Sequence, residues 1–283
     1  MPTTLGVDIG GTSVKAAVWL DGRCIRTGQS NFYVKPNAAQ LRAAIHRAVG
    51  SIRDVQTVGL CAPGLLDRER GVITMAVNVP GLAGLELDQL VPEALGLKGG
   101  RPTTISNDAA AAAHHMFNLR QMSGRLLVLS LGTGVGVAVL DNGEPLRVEG
   151  DSPGHIGQID VSIPGTDVVG PDGGAGGLEG YIGVPALHER YGVKMSAAIA
   201  KFTGEEPAIL ALVRALRICH AIYRPNHICL CGGVGIRLRH LLKIIQQKTQ
   251  DRLTSLSRPN WTLECGADDF HAAHGAAQLA ETK

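Results

Sequence analysis

The sequence contains no cluster of lysine or arginine, no CxxC cysteine pair, no Pro- or Ser-rich linker and no low-complexity tract. Without a basic cluster, and with a formal net charge of only +2, nucleic acid is not expected as the main partner. The longest uncharged run, Leu126 to Leu140, is broken by Gly132, Gly134 and Gly136 and falls short of the roughly 20 residues that span a bilayer. The N-terminus lacks a basic segment followed by an apolar core, and Asp8 stands where a signal peptide must be apolar, so a cytoplasmic location without membrane partners is expected. The six cysteines include Cys61, Cys229 and Cys231 in strand-like apolar runs, which read as buried thiols rather than a disulfide framework.

Glycine, by contrast, is abundant, at 37 of 283 residues, and 45% of the chain is hydrophobic, so a turn-rich globular protein of one large or two medium domains is expected. In "GVDIGGTSVKAAV", residues 6–18, Leu5, Val7 and Ile9 alternate, Gly10-Gly11 interrupts, and Val14, Ala16 and Val18 resume: strand, tight turn, strand. Asp8 lies on the strand face opposite Val7 and Ile9, just before amides that can face an anion. On its own the stretch reads equally as a Gly-Gly hairpin. The pattern recurs, however, in "LLVLSLGTGVGVAVLDNG", where Leu129, Leu131, Val135, Val137 and Val139 bracket Gly132-Thr133-Gly134-Val135-Gly136. Two such units predict an internal duplication whose turns hold the polyphosphate of a nucleotide from two sides of a cleft.

Between the turns, "NAAQLRAAIHRAV" predicts a helix capped by Asn37 with Gln40 as its box partner, followed by a strand in "VQTVGLCAPG". An Ala-rich helix is expected to start near Asp108. Further helices are expected over Ile209 to Ala221, through Leu241, Ile244 and Ile245 on one face, and from about Phe270, with strands before Gly232-Gly233 and near Trp261 to Leu263. The stretch Pro164 to Gly183 reads as a long glycine-rich functional loop.

In a nucleotide site Asp8 suits Mg²⁺, held through water because that ion keeps much of its hydration shell. Phosphoryl transfer to an alcohol also needs a carboxylate base, and Asp108 at a helix start among small alanines is the candidate. Equally, Asp108 serves as a helix cap. Lys15 shares a strand face with Ser13 and receives no role. His271 and His274 have helical spacing but are read as structural rather than as a metal face.

The segments "DIGGT", "APGLLD", "NVPG", "NDAAAAA", "LGTGVGVAVLDNG", "GGLEGY" and "CGGVG" occur in an order and spacing that resembles the ROK family of sugar kinases, in the actin-like ATPase superfamily. The resemblance runs over essentially the whole chain and implies an α/β protein with two related actin/hexokinase-like (ribonuclease H-like) domains flanking a deep cleft. Domains are expected over 1–109, completed by a C-terminal helix 270–283, and over 110–269. By the resemblance, Asp8, Gly10, Gly11 and Thr12 form the first phosphate loop, Gly132, Thr133, Gly134 and Gly136 the second, and Gly232 and Gly233 the adenosine turn. Asp108 matches the catalytic base, while Gly64, Asn78, Asn107 and Glu179 match sugar-pocket positions. A homodimer acting on a small sugar, with ATP and Mg²⁺, is the family expectation.

The chain departs from the family where a "GExGH" element and a Cys-rich loop bind structural zinc. Here "GHIGQ" puts His155 in place of a sugar-gripping Glu and Gln158 in place of a His that binds zinc and touches sugar, while "GPDGGAGGLE" replaces the cysteines with Gly170, Asp172 and Gly177. No zinc is therefore expected, and an altered sugar specificity is, with His155 and Gln158 at the sugar. Two rivals follow from the same family. A transcriptional repressor needs a DNA-binding domain ahead of the first loop, where only seven residues precede Asp8. A catalytically silent sugar or nucleotide sensor is the other; retention of Asp8, both turns and Asp108 favours a kinase.

Overall fold

The computed structural model describes residues 3–52, 54–67, 69–97, 101–148 and 153–281. The chain divides into two compact units: Met1–Arg120 with Arg147–Ser152 and Phe270–Lys283, and Gln121–Leu146 with Pro153–Asp269. The boundary expected at 109/110 is displaced, because it would cut through a helix, Asp108–Leu119, that packs whole on the first unit. Of the helix expected over 270–283, residues 282 and 283 lie outside the described residues.

The first unit is built on a five-stranded sheet of order β3-β2-β1-β4-β7, formed by β1 (Thr3–Ile9), β2 (Val14–Leu20), β3 (Arg23–Gln29), β4 (Val55–Cys61) and β7 (Thr103–Ser106). β1 runs antiparallel to β2 and parallel to β4, and β4 runs parallel to β7. Alternation divides β1 between two faces. Leu5, Val7 and Ile9 join a core with Leu41 and Ile45 of α1 (Ala38–Val49) and Leu90 of α2 (Leu87–Leu95). α1 starts as expected: Asn37 Oδ1 accepts from the Gln40 amide and Gln40 Oε1 accepts from the Asn37 amide. A hairpin of β5 (Leu65–Asp67) and β6 (Val72–Met75) stands apart from the sheet.

The opposite face of β1 carries Thr4, Gly6 and Asp8 and lies against α10 (His271–Glu281), which also packs on α3 (Asp108–Leu119). Contact here is backbone to backbone. A Cβ on Gly6 would stand 1.9 Å from the Ala273 carbonyl oxygen, one on Gly59 1.8 Å from that of Ala276, and one on Gly275 1.8 Å from that of Ala111. Glycine at these three positions, with alanines opposite, is what lets α10 lie so close.

The second unit repeats the plan with β8 (Arg125–Leu131), β9 (Val135–Asp141), β10 (Glu144–Pro145), β11 (His227–Cys231) and β12 (Thr262–Cys265), in the order β10-β9-β8-β11-β12. Again the first strand is antiparallel to the second and parallel to the fourth. Its core joins Leu127, Leu129 and Leu131 to α4 (Leu178–Ile182), α5 (Val184–Tyr191) and α7 (Pro207–Tyr223). The short helices α6 (Met195–Ile199) and α8 (Gly232–Arg237) and the helix α9 (Leu242–Gln250) complete it. On α9, Ile245 is buried but Ile244 is 38% exposed, so the apolar face is narrower than the spacing suggested. The glycine-rich stretch 164–183, expected as loop, contains α4 at its end.

Candidate active site

In the first unit the functional candidates line up along the carboxyl ends of the parallel strands, where open α/β sheets bind ligands. Register sets their positions. Asp8 is level with Cys61 on β4, and Cys61 with Ser106 on β7, two strand spacings and about 10 Å in all. Asn107 and Asp108 follow directly. On the other side Asp8 pairs with Lys15 on β2, and because paired residues share a face, the ammonium and the carboxylate stand on the same side of the sheet. The Cys61 sulfur lies 3.6 Å from Asp8 Oδ1 and 3.6 Å from the Ala272 carbonyl of the covering helix. Burial, reinforced by the charges of Asp8 and Asp108, holds this thiol far above its ordinary pKa, so it stays a neutral donor beside Asp8.

The turn after β1 is closed by the Gly10 amide donating to the Ser13 carbonyl at 3.0 Å. The amides of Gly11 and Thr12 have no acceptor among the described residues and are available to an anion. Tyr33 secures the turn from outside. Its hydroxyl donates to the Gly10 carbonyl at 2.6 Å and its amide to the Thr12 carbonyl at 2.9 Å. Burial and the charge of Asp8 push that phenol up, which keeps it protonated as the donor.

At the start of α3 the two readings of Asp108 separate. Asn107 is the cap, its Oδ1 accepting from the Ala110 amide at 2.6 Å. Asp108 is the first helical residue, half-buried, with Oδ1 accepting from the Ala109 amide at 2.8 Å. Burial raises its pKa above the usual carboxylate range, against the pull of that amide and of the Lys15 charge. Capping therefore engages the Asn107 oxygen and leaves its NH₂ as a donor. Gly64 has φ +112°, and a Cβ there would stand 2.3 Å from the Met75 carbonyl oxygen. Asn78 is half-buried with no hydrogen bond from its side chain among the described residues.

Behind α3, His271 and His274 meet His115. The His115 and His274 rings stack at 4.8 Å, and the Trp19 indole donates to His274 Nδ1 at 3.2 Å. Among the described residues no three His, Cys, Asp or Glu are grouped as a metal ion would need.

In the second unit the turn after β8 is closed by the Gly132 amide donating to the Gly134 carbonyl at 3.0 Å, while the Thr133 and Gly134 amides have no acceptor among the described residues. Glu179 holds this turn from below, with Oε2 accepting from the Val135 amide at 2.9 Å. Burial raises the Glu179 pKa, partly offset by that bond. Its second oxygen remains for a ligand. Gly136 pairs with Ser130 on β8, and Ser130 with Cys231 at the end of β11. Gly232 follows with φ +76°, and a Cβ there would stand 2.5 Å from the Leu131 carbonyl oxygen. Asp269 lies beside Gly233, its Oδ1 buried without a hydrogen-bond partner among the described residues, and was not among the expected site residues. His155 and Gln158 are exposed at the ends of one short helical turn, linked only by the Gln158 amide donating to the His155 carbonyl. Where the family carries cysteines, the loop is held by bonds between Gly170 and Gly174 and by Asp172 Oδ1 accepting from the Gly174 amide.

The ROK family model matches residues 4–283. A beta-glucoside kinase of Listeria innocua is 26% identical over 249 residues, covering 81% of this chain and 82% of its own length. An N-acetylmannosamine kinase of Vibrio cholerae is 28% identical over 169 residues, 57% of this chain and 56% of its own. The fold is shared with a ROK family glucokinase from Streptomyces griseus, solved with glucose and AMPPNP, at TM-score 0.76 and 24% identity over 99% of this chain and 100% of that one. The chain belongs to the ROK family.

Proposed function

We propose that this carbohydrate kinase transfers the γ-phosphoryl group of ATP to a hydroxyl of a hexose or amino sugar, the 6-hydroxyl being the expected acceptor, with Asp108 as general base. The observation that carries this reading is the strand register that lines up Lys15, Asp8, Cys61 and Ser106, with Asp108 two residues further on. The Asp108 carboxyl is half-buried and poised above the usual carboxylate range, a setting that suits proton abstraction. As the sugar oxygen bonds to the γ-phosphorus, its proton passes to the Asp108 carboxylate and the bond to the β-phosphate oxygen breaks, releasing ADP.

The Gly11 and Thr12 amides of the first turn, with Gly10 closing it, and Gly132, Thr133, Gly134 and Gly136 of the second, serve the phosphates; Gly232 and Gly233 serve the adenosine. Asp8 offers the hard oxygen donor that fits Mg²⁺ through its waters, and that ion supplies charge neutralisation on the nucleotide. Gly64, Asn78, Asn107, Glu179, His155 and Gln158 serve the sugar. The names of the relatives recommend glucose, β-glucosides and N-acetylmannosamine as first candidates, with an altered preference expected from His155. No zinc is required by this reading, because the loop that would carry it is closed by Asp172 and backbone bonds. A homodimer in the cytoplasm is the accompanying expectation.

The test is an ADP-release assay across hexoses, amino sugars, β-glucosides and ketoses. Turnover with at least one sugar is expected, with phosphate on its 6-position by mass spectrometry and NMR. Tight ATP binding without turnover on any sugar establishes the silent sensor instead.

A further inference from the structure

The second unit contains a cavity of about 430 Å³ at the opposite end of β11 from the glycine turns. It is framed by Arg224, just before β11, and by the segment after α9, whereas Gly232 follows β11 directly. A five-residue strand separates the two ends by about 15 Å. Arg217 and His220, three residues apart, share a face of α7; Arg224 follows as the left-handed cap of that helix, and Arg252 and Thr254 come from the segment after α9. Among the described residues no acidic side chain lines the cavity, and no ion pair uses these arginines.

His220 is the second observation. It is only 1% exposed, lines the cavity, and neither ring nitrogen has a hydrogen-bond partner among the described residues. Its ring packs edge-on against Trp261 at 4.5 Å between centroids. Burial pushes its pKa down to about 4, so it is a neutral imidazole carrying one N–H to donate. Arginines near the ends of α7 and α9 also complement the helix dipoles, which accounts for the charge. That account leaves the buried imidazole unsatisfied and requires no cavity. We propose that this cavity binds a phosphate monoester of sugar-phosphate size, the arginines taking the phosphate and the hydroxyl of Thr254 and the ring N–H of His220 taking the oxygens beside it. The volume lies in the range of small-molecule sites, about 300–1,000 Å³, and exceeds what a bare phosphate fills.

The experiment is calorimetric titration of the full chain with glucose 6-phosphate and, separately, inorganic phosphate, in wild type and in Arg217→Ala/Arg252→Ala. Both arginines are exposed, so the variant is expected to melt with wild type and to keep its ADP-releasing activity. Glucose 6-phosphate should bind wild type at least tenfold more tightly than the double variant, and more tightly than inorganic phosphate does. It should also move the His220 resonance, assigned with His220→Gln, in histidine-labelled protein. Equal affinity in wild type and variant puts the ligand elsewhere and overturns the proposal. Equal affinity for inorganic phosphate and glucose 6-phosphate means an adventitious ion only and overturns it as well.

Discussion

Laid strand on strand, the two sheets agree in topology and differ in charge. The next-to-last residue of the first strand is Asp8 in one unit and Ser130 in the other. Its partner on the second strand is Lys15 in one and Gly136 in the other, and its partner on the fourth is a cysteine in both, Cys61 and Cys231. Both turns are closed by their own first glycine amide and leave the next two amides without an acceptor among the described residues. An amide cradle is thus common to both units, while the ionic chemistry belongs to one. On the proposed function, duplication supplies the phosphate grip twice, while a base and a metal carboxylate are needed once.

Asp108→Asn gives the largest expected effect, because it removes the base and leaves both cradles intact. Turnover should fall about 10²- to 10⁴-fold with ATP binding by calorimetry nearly unchanged. Normal turnover in that variant removes Asp108 from the role. Exchanging the charge pattern between units comes next. Asp8→Ser should lower kcat/KM for the magnesium nucleotide by about 10- to 100-fold. Ser130→Asp should weaken ATP binding at least tenfold by setting a carboxylate beside the polyphosphate. Unchanged ATP affinity in Ser130→Asp would show that the second turn does not serve the phosphates.

The pH profile sharpens the contrast. In the proposed reaction Asp108 works ionised, and its pKa is raised by burial, so kcat/KM should fall on acidification at a pH above that of an ordinary carboxylate. Lys15 pulls that pKa down, so Lys15→Met should move the acid limb to still higher pH. An acid limb that stays in place shows that the ammonium does not act on the base. The smallest effects are on stability. Gly59→Ala drives a methyl into the Ala276 carbonyl and should cost about 1–3 kcal/mol in chemical denaturation. Asn107→Ala loses the cap of α3 and should cost about 1 kcal/mol.

Much of this was legible in the sequence because it is local and periodic. Alternation marked the strands around both glycine turns, and the Asn37 and Gln40 spacing marked the start of α1. Roles that depend on register or on distant packing were not legible. Lys15 acquires its place only through pairing with Asp8, and Tyr33, in irregular chain, only through its reach to Gly10. Glu179 was expected at the sugar, but its bond to the Val135 amide joins residues 44 apart in sequence. The stacking of His115 on His274 likewise required two helices to meet. Neither composition nor spacing pointed to Asp269 or to the cavity beside His220, both defined by what burial leaves unpaired.

The helix α10 carries a consequence for the order of assembly. It covers the face of β1 that bears Asp8, and its Ala272 carbonyl meets the Cys61 sulfur. On the ribosome, Asp8 and Cys61 emerge early and α10 only after every strand of the second unit. The second unit is thus an insertion within its host, and the cover over Asp8 belongs to a segment that the chain adds only after it.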